Sequence, residues 1–270
     1  MPIDMQYESS TFHLSEKEHH YGDNVHILSD PLLITMLAKL CSNDTHQPLI
    51  NELVDKIYTL FLSNVINYEF PKTQTETQTR MIAHHQEGVF QGCIIDPKTR
   101  AVSVNLARAG TVPSQVCYSL LNYYLSPENV RQDHISIARQ SDDTNQVTGS
   151  SVFGHKIGGN IADSIVLFPD PMGATGGSIV ECLKLYEQYG KADKMIAMHC
   201  IITPEYIKEV KKHYPDLIIY AIRLDRGLSD PKILSTPPGK HWDQEKGLNQ
   251  NQYIVPGGGG FGEILNNAFV

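Results

Sequence analysis

The sequence has no run of about 18 apolar residues, the length that a membrane-spanning helix needs. It also lacks an excess of positive charge, because 22 Lys and Arg residues stand against 30 Asp and Glu residues and the formal net charge is −8. Proteins that bind nucleic acid or anionic membranes through charge normally carry a basic surface. Residues 1–20 have neither a basic start nor an apolar centre, so they do not resemble a signal peptide. We therefore expect no nucleic-acid partner and no membrane association.

Cysteine is sparse and irregularly spaced. The five cysteines form no CxxC pair, and three of them lie within apolar runs, where a small buried thiol is the ordinary outcome. They are Cys41, Cys93, Cys117, Cys182 and Cys200. This usage favours a reducing compartment, so we expect a cytoplasmic protein.

The length and composition suit one compact domain, since 41% of the 270 residues are hydrophobic and 19% are charged. Residues 1–28 are polar and form an N-terminal arm, either ordered or loose, and the domain covers residues 29–270. Two long loops interrupt the domain. Residues 140–160 predict a flap or an extended hairpin, and residues 229–246 are an insertion that carries the only Trp, Trp242. Loops of this length are usually functional or mobile.

Hydrophobic spacing predicts the elements of the domain. Apolar residues recur every three to four positions from Asp30 to Tyr68, which predicts two helices separated by the polar turn CSNDTHQP. Residues 76–96 predict a β-hairpin or a loop. Further along, short apolar runs alternate with helical patterns; the runs are 101–107, 134–138, 164–168, 194–202 and 217–222, and the helices are 116–124, 179–189 and 204–213. This alternation predicts an α/β fold with a central, mostly parallel sheet flanked by helices, which binds its ligand beyond the carboxyl ends of the strands.

The stretch SIVLFPDPMGATGGSIVECLKLYEQYG, residues 164–190, contains the most informative motif. A strand runs into a turn of small residues, and a helix follows. Small residues let backbone N–H groups approach an anion, and the start of the helix adds unpaired donors and the positive end of its dipole. No lysine follows as in a Walker loop, and Gly173, Gly176 and Gly177 do not have dinucleotide-fingerprint spacing. The motif therefore predicts a phosphate site.

Asp170 precedes this turn and extends the prediction. A carboxylate accepts hydrogen bonds well from vicinal hydroxyls, so a sugar phosphate fits, with its phosphate in the loop and its ribose hydroxyls on Asp170. The alternative is a glycine-rich turn capped by an aspartate, with no ligand.

At this point the sequence resembles a known family. FPDPMGATGGS is similar to the phosphoribosyl-diphosphate (PRPP) loop of the uracil phosphoribosyltransferases, whose usual form is DPMLATGGS. In the same order, NLARAGTV resembles the segment that holds pyrophosphate in the family, and INYEFPKTQTETQTRM, HYPDLIIYAIRLD and GLNQNQYIVPG resemble three further family segments. Together they cover most of residues 30–265. The resemblance implies a type I phosphoribosyltransferase fold with a flexible hairpin and a C-terminal segment that binds the base.

The resemblance also implies roles for individual residues. Arg108, with the backbone of Ala109 and Gly110, and Arg139 would hold pyrophosphate. The ribose and its 5′-phosphate would lie on the PRPP loop, which consists of Asp170, Pro171, Met172, Gly173, Ala174, Thr175, Gly176, Gly177 and Ser178. Arg108 and Asp170 are the candidate catalytic residues. The base would contact the C-terminal segment at Tyr253, Ile254, Gly259, Gly260 and Phe261. For Arg139, a surface arginine after a strand is the alternative.

The sequence also departs from the family pattern. Gly173 replaces a leucine, and the family ending YIVPGLGDAGDR reads YIVPGGGGFGEI here. A carboxylate that contacts the substrate is thereby lost at Gly260, while the second acidic position survives as Glu263. If this loss lowers activity, Gly260→Asp should raise it. The glycine run 257–260 is also expected to be more flexible than its counterpart.

The implied reaction transfers phosphoribosyl from PRPP to a pyrimidine base, most readily uracil, and gives UMP and pyrophosphate in pyrimidine salvage. Mg2+ would accompany PRPP, and the family resemblance implies a homo-oligomer, a dimer or higher. Two alternatives remain open: a divergent homologue that binds PRPP or a nucleotide with weak or no catalysis and has a regulatory role, or a transferase for another base.

Overall fold

The computed structural model describes residues 4–141 and 147–268, and the side chains of 138–141 and 147–150 lie outside this description. The described helices are α1 (Pro31–Leu40), α2 (Leu49–Glu69), α3 (Thr111–Tyr124), α4 (Gly177–Tyr186), α5 (Pro204–His213), α6 (Pro231–Leu234) and α7 (Phe261–Ile264). The described strands are β1 (Val25–Ile27), β2 (Lys72–Gln78), β3 (Val89–Ile95), β4 (Arg100–Ala107), β5 (Val130–Ser141), β6 (Val147–Lys156), β7 (Ser164–Pro169), β8 (Met172–Gly173), β9 (Lys194–Ile202) and β10 (Ile218–Leu224).

The main sheet is mostly parallel, as predicted. Its strand order is β1-β10-β9-β7-β4-β5-β6, and the short strand β8 pairs with β9 beyond the end of β7. The pairings from β1 to β5 are parallel, and β6 returns antiparallel to β5 as the hairpin predicted near residues 140–160. A separate antiparallel pair, β2 and β3, forms the hairpin predicted for residues 76–96. The α/β prediction is confirmed.

Helices cover both faces of the sheet because its central strands are apolar on both sides. Every residue of β7 is buried, and so are the last seven residues of β9. Helices α1, α2 and α3 pack on one face through a cluster that includes Tyr58 and Phe61. Helices α4 and α5 pack on the other face around Phe168 and Tyr186. Burial of both faces is the property that favours parallel sheets, and it leaves the strand ends for binding. None of the described helices is long and apolar enough to cross a membrane.

The described part of the N-terminal arm is ordered and joins the sheet through β1, which pairs with β10. It also meets the insertion: Tyr21 packs against Trp242 at a ring-centroid distance of 5.1 Å, and the His20 N–H donates to the Pro238 carbonyl at 2.8 Å. Trp242 donates its own indole N–H to the Pro204 carbonyl at 3.0 Å. The insertion is therefore a packed loop that contacts both the N-terminal arm and the start of α5.

Glu245 is the buried polar centre of this contact. Its side chain is fully buried and accepts hydrogen bonds from Arg226 at 2.8 Å, from the Gly239 N–H at 2.9 Å and from the Tyr21 hydroxyl. A buried carboxylate is tolerated only when it is paired and fully hydrogen-bonded.

We expect Arg226→Met to lower the free energy of unfolding by about 3 kcal/mol, because it leaves the Glu245 carboxylate buried beside an apolar side chain. Chemical denaturation followed by circular dichroism measures this loss. Lys208→Met is the matched control, since it breaks the exposed ion pair of Lys208 with Asp243 in the same region. The control should leave the unfolding midpoint unchanged; equal midpoints for the two variants would contradict the role of Glu245.

Candidate functional site

The segment predicted to be the PRPP loop, residues 170–178, lies at the carboxyl end of β7. Strand β7 ends at Pro169, Asp170 follows, and α4 begins at Gly177 after a turn at Gly176 with φ of +84°. Only glycine adopts this left-handed conformation without strain. The turn lets α4 start abruptly, so that the N–H groups of its first turn face the loop. The Asp170 side chain is half-buried at the mouth of the loop.

Strand pairing and hydrogen bonds fix the backbone of the loop to the end of β9 and to Thr203, the residue before α5. Strand β8 pairs with the end of β9, with Gly173 opposite Ile202. Thr203 joins both sides, because its N–H donates to the Gly173 carbonyl at 3.1 Å and its hydroxyl donates to the Ala174 carbonyl at 2.6 Å. The loop therefore has a fixed backbone, as an anion site made of main-chain donors requires.

The replacement of leucine by Gly173 has a packing explanation. A Cβ built on Gly173 would lie 2.9 Å from Ile202 Cγ2 and 3.0 Å from the ring of Tyr206. The tyrosine ring thus lies where a larger side chain at position 173 would begin. The exchange of leucine for glycine therefore leaves room for the Tyr206 ring beside the loop.

Arg108 lies at the end of β4, the strand next to β7. It follows β4, and the backbone of Gly110 approaches β7 so closely that a Cβ there would lie 3.2 Å from the Pro169 carbonyl oxygen. The Arg108 guanidinium donates to the Ala268 carbonyl at 3.1 Å and lies 4.0 Å from Glu263. The structure therefore places the backbone of Gly110 against the last residue of β7, which precedes Asp170, and the C-terminal segment contacts Arg108. Arg139 lies on β5, but its side chain falls outside the described residues.

Asp225 holds the C-terminal segment at Gly257, the first residue of the glycine run. This carboxylate is buried, forms a bidentate pair with Arg223 at 2.6 and 2.7 Å, and accepts the Gly257 N–H at 2.7 Å. Arg223 in turn donates to the Gly257 carbonyl at 2.8 Å. A Cβ on Gly258 would lie 3.2 Å from Met172 Cε, which places the glycine run directly against the PRPP loop. Gly257 is thus held at both its N–H and its carbonyl by charged partners.

Ile254 and Tyr253, two of the predicted base-binding residues, differ in the direction of their backbone N–H and C=O groups. Ile254 pairs with Leu248 in a narrow antiparallel bridge flanked by the hydrogen bonds Asn249 N–H to Tyr253 carbonyl and Val255 N–H to Gly247 carbonyl. In such a pair the N–H and C=O of Ile254 point away from Leu248. Tyr253 differs, since its N–H and C=O both bond to Asn249.

Phe261 is turned into the core with 2% exposure, so its side chain does not line a pocket. It anchors the short helix α7. A cleft of about 400 Å³ lies between the α1–α2 turn at residues 41–47 and the backbone of residues 256–259.

Gly260 and Glu263 are coupled in space. A Cβ built on Gly260 would lie 2.1 Å from Glu263 Oε2, so the glutamate carboxylate occupies the space that a side chain at position 260 would enter. The sequence showed that a carboxylate is missing at Gly260. The structure shows that the Glu263 carboxylate, three residues later, occupies that space and faces Arg108.

Sequence analysis missed the residues beneath the loop, His199, Thr203 and Tyr206. Thr203 stands before Pro204, an order typical of an N-cap followed by a proline at the first helical position, and it does accept the Tyr206 N–H at 3.0 Å. His199 is hidden in an apolar strand. Burial lowers its pKa to about 4, so it is neutral at pH 7. Within the described residues, no group of three or more His, Cys, Asp or Glu side chains could hold a metal ion by itself.

Comparison with known sequences is consistent with this geometry. The sequence pattern of the uracil phosphoribosyltransferase family matches residues 27–239. The chain belongs to this family. Similar curated proteins include the uracil phosphoribosyltransferases of Dictyoglomus thermophilum, 27% identical over 88% of this chain and 97% of its own length, and of Thermosipho africanus, 28% identical over 89% and 97%.

Solved structures show the same fold. An Aquifex aeolicus protein superposes with a TM-score of 0.70 at 19% identity, covering 91% of this chain and 99% of its own. The adenine phosphoribosyl transferase of Trypanosoma brucei, solved with AMP, pyrophosphate and ribose-5-phosphate, gives a TM-score of 0.51 at 15% identity over 81% of this chain and 90% of its own. This member of the uracil phosphoribosyltransferase family therefore has the type I phosphoribosyltransferase fold.

We expect Gly176→Ala to lower the free energy of unfolding by about 1–3 kcal/mol and to weaken binding of ribose 5-phosphate, because the left-handed turn before α4 becomes strained. A Cβ there would also lie 3.2 Å from the Tyr206 carbonyl. Denaturant unfolding and calorimetry measure the two effects. Gly154→Ala is the control, since a Cβ at Gly154 meets nothing within 4 Å. Unchanged ligand binding in Gly176→Ala would contradict the assignment of the phosphate site.

Proposed function

We propose that this phosphoribosyltransferase-family protein transfers the phosphoribosyl group of PRPP to uracil and gives UMP and pyrophosphate, as in pyrimidine salvage. The observation that carries the proposal is the PRPP loop: a half-buried carboxylate, a backbone fixed to β9 and a glycine turn into the start of α4, all at the carboxyl edge of a parallel sheet. Family membership and the neighbouring Arg108 support the same activity.

In this proposal the 5′-phosphate lies on the N–H groups of the loop and the start of α4, and Asp170 accepts hydrogen bonds from the ribose hydroxyls. The anomeric carbon passes through an oxocarbenium-like state while pyrophosphate leaves with growing negative charge. In the proposal Arg108 stabilises that charge, because a guanidinium acts most strongly where charge develops in the transition state. Its contacts with Ala268 and Glu263 would be exchanged for pyrophosphate oxygens. Arg139 is proposed as a second pyrophosphate ligand.

Uracil presents an acceptor, a donor and an acceptor along one edge. The N–H and C=O of Ile254 point away from Leu248 and would supply a donor and an acceptor next to each other, which match two of these groups. Cytosine would place an amino group where uracil places an acceptor, so a backbone donor would face another donor. Gly259 and Gly260 complete the proposed base site through their backbones.

Mg2+ belongs to the proposal as a partner of PRPP. The described side chains form no metal cluster of their own, and one carboxylate together with substrate phosphates is a common arrangement for this ion. Asp170 and the pyrophosphate oxygens would hold it, and the bound ion would neutralise charge on the leaving group. We also retain the homo-oligomer and the cytoplasmic location as predictions.

Glu263 supports a catalytic protein over a homologue without catalysis. We propose that its carboxylate takes the place of the one that Gly260 lacks, because it fills the same space and faces Arg108. The regulatory alternative rested on that loss. A transferase for another base stays open, since the altered segment is the one proposed to face the base.

We expect the purified protein to release pyrophosphate from PRPP in a uracil-dependent manner and to form UMP. Asp170→Asn should lower kcat/KM at least about a hundredfold, because it removes the charged acceptor for two ribose hydroxyls. Asp163→Asn, which changes an exposed carboxylate before the same strand, is the control. Product is detected by mass, with cytosine, orotate and adenine tested beside uracil. Turnover with another base alone would replace uracil in the proposal, and no turnover with any base would contradict it.

We expect Glu263→Gln to lower kcat/KM about ten- to a hundredfold, the effect of losing a hydrogen bond to a charged group. Gly260→Asp should change activity little, because the new side chain displaces the Glu263 carboxylate and substitutes one acid for another. The double variant Gly260→Asp, Glu263→Gln should recover the activity that Glu263→Gln loses. Steady-state kinetics with PRPP and uracil measure all three. A clear gain in Gly260→Asp alone would show that Glu263 does not replace the missing carboxylate.

A further inference from the structure

A buried chain of hydrogen bonds runs from α5 to the backbone of Asp170. The Asp170 carbonyl lies 2.5 Å from His199 Nδ1, and His199 Nε2 lies 2.6 Å from the Tyr206 hydroxyl. His199 is 1% exposed and Tyr206 is 2% exposed, so water does not compete for these groups. The two rings meet edge to face with centroids 4.7 Å apart.

The partners fix the direction of each hydrogen bond. A backbone carbonyl can only accept, so His199 Nδ1 carries the proton and donates to Asp170. In a neutral imidazole the other nitrogen is then an acceptor, so the Tyr206 hydroxyl donates to Nε2. Burial keeps the imidazole neutral, since it lowers the pKa of His199 to about 4. The chain therefore has one orientation at neutral pH.

Tyr206 also shapes the loop directly. Its ring closes the space beside Gly173, and its backbone carbonyl lies 3.2 Å from where a Cβ of Gly176 would be. Asp170, Gly173 and Gly176 are spread along the whole PRPP loop, and each is in contact with this one tyrosine or with the histidine that it holds.

We propose that His199 and Tyr206 are positioning residues for the sugar phosphate: Tyr206 orients His199, and His199 holds the Asp170 carbonyl and thereby aims the Asp170 carboxylate at the ribose hydroxyls. The inference rests on the proposed function and adds residues to its site. Neither residue touches the ligand. Holding a ligand group in its bound geometry before binding reduces the entropy lost on binding, so the effect belongs in affinity for the sugar phosphate.

The test uses ribose 5-phosphate as the probe, with calorimetric Kd, KM for PRPP, kcat and the unfolding midpoint measured for each variant. Tyr206→Phe keeps the ring against Gly173 and removes the hydroxyl. His199→Asn and His199→Gln form a matched pair, because the Asn amide reaches the position of Nδ1 and can still donate to Asp170, whereas the Gln amide reaches the position of Nε2. Tyr220→Phe is the control for loss of a buried tyrosine hydroxyl elsewhere, which donates to Glu69 at 2.7 Å.

We expect Tyr206→Phe and His199→Gln to raise the Kd for ribose 5-phosphate and the KM for PRPP about three- to tenfold, with kcat nearly unchanged. Tyr220→Phe should bind like the wild-type protein even where its unfolding midpoint falls. His199→Asn keeps the donor to Asp170 but loses the contact with Tyr206, so its Kd should lie between those of the wild-type protein and His199→Gln. Lower midpoints with an unchanged Kd in Tyr206→Phe and His199→Gln would show a structural role only and overturn the inference.

The outcomes also separate this inference from the proposed function. A wild-type protein that binds ribose 5-phosphate but does not use uracil would contradict the proposed reaction, and the inference would still be decided by the pattern of Kd values. A wild-type protein that does not bind ribose 5-phosphate would overturn both.

Discussion

The in-register pairing of β7 with β9 is the constraint on which the site depends. Pro169, the last residue of β7, lies opposite Met198, so the chain leaves the sheet beside His199 and rejoins it when Met172 pairs with Ile201. Asp170 and Pro171 thus connect the two pairings, and the Asp170 N–H still donates to the Met198 carbonyl at 3.1 Å. A shift of one residue would turn every side chain of β7 to the other face and would separate the loop from its support. The loop geometry follows from sheet register as much as from its glycines.

Neighbouring strands bring the other groups to the same edge. Strand β4 lies next to β7 and delivers Arg108, while β10 lies next to β9 and delivers Asp225, which holds Gly257. The C-terminal segment then returns across the site to contact Arg108 through Ala268 and Glu263. Three parts of the chain that are distant in sequence therefore meet because parallel strands end together. This convergence is the physical basis for assigning sugar, pyrophosphate and base to adjacent regions.

Local pattern was enough to predict most of the fold and the PRPP loop. Apolar spacing located α2, β7 and β9, and small residues between a strand and a helix predicted the turn between β7 and α4 where we propose that phosphate binds. The sequence could not predict the compensations between distant residues. Gly173 is matched by the ring of Tyr206, and Gly260 is matched by the carboxylate of Glu263, and both matches exist only in three dimensions. Phe261 was predicted to contact the nucleobase but packs in the core, since a large apolar side chain gains more from burial than from a polar site.

The most direct test of the central claim is a crystal structure of the protein with ribose 5-phosphate. We predict that the phosphate will lie within hydrogen-bond distance of the backbone N–H groups between Ala174 and Ser178, with a ribose hydroxyl on Asp170 and the Asp170 carbonyl still bound to His199. A phosphate bound instead in the cleft beside residues 41–47, or a PRPP loop that stays empty at saturating ligand, would contradict the account.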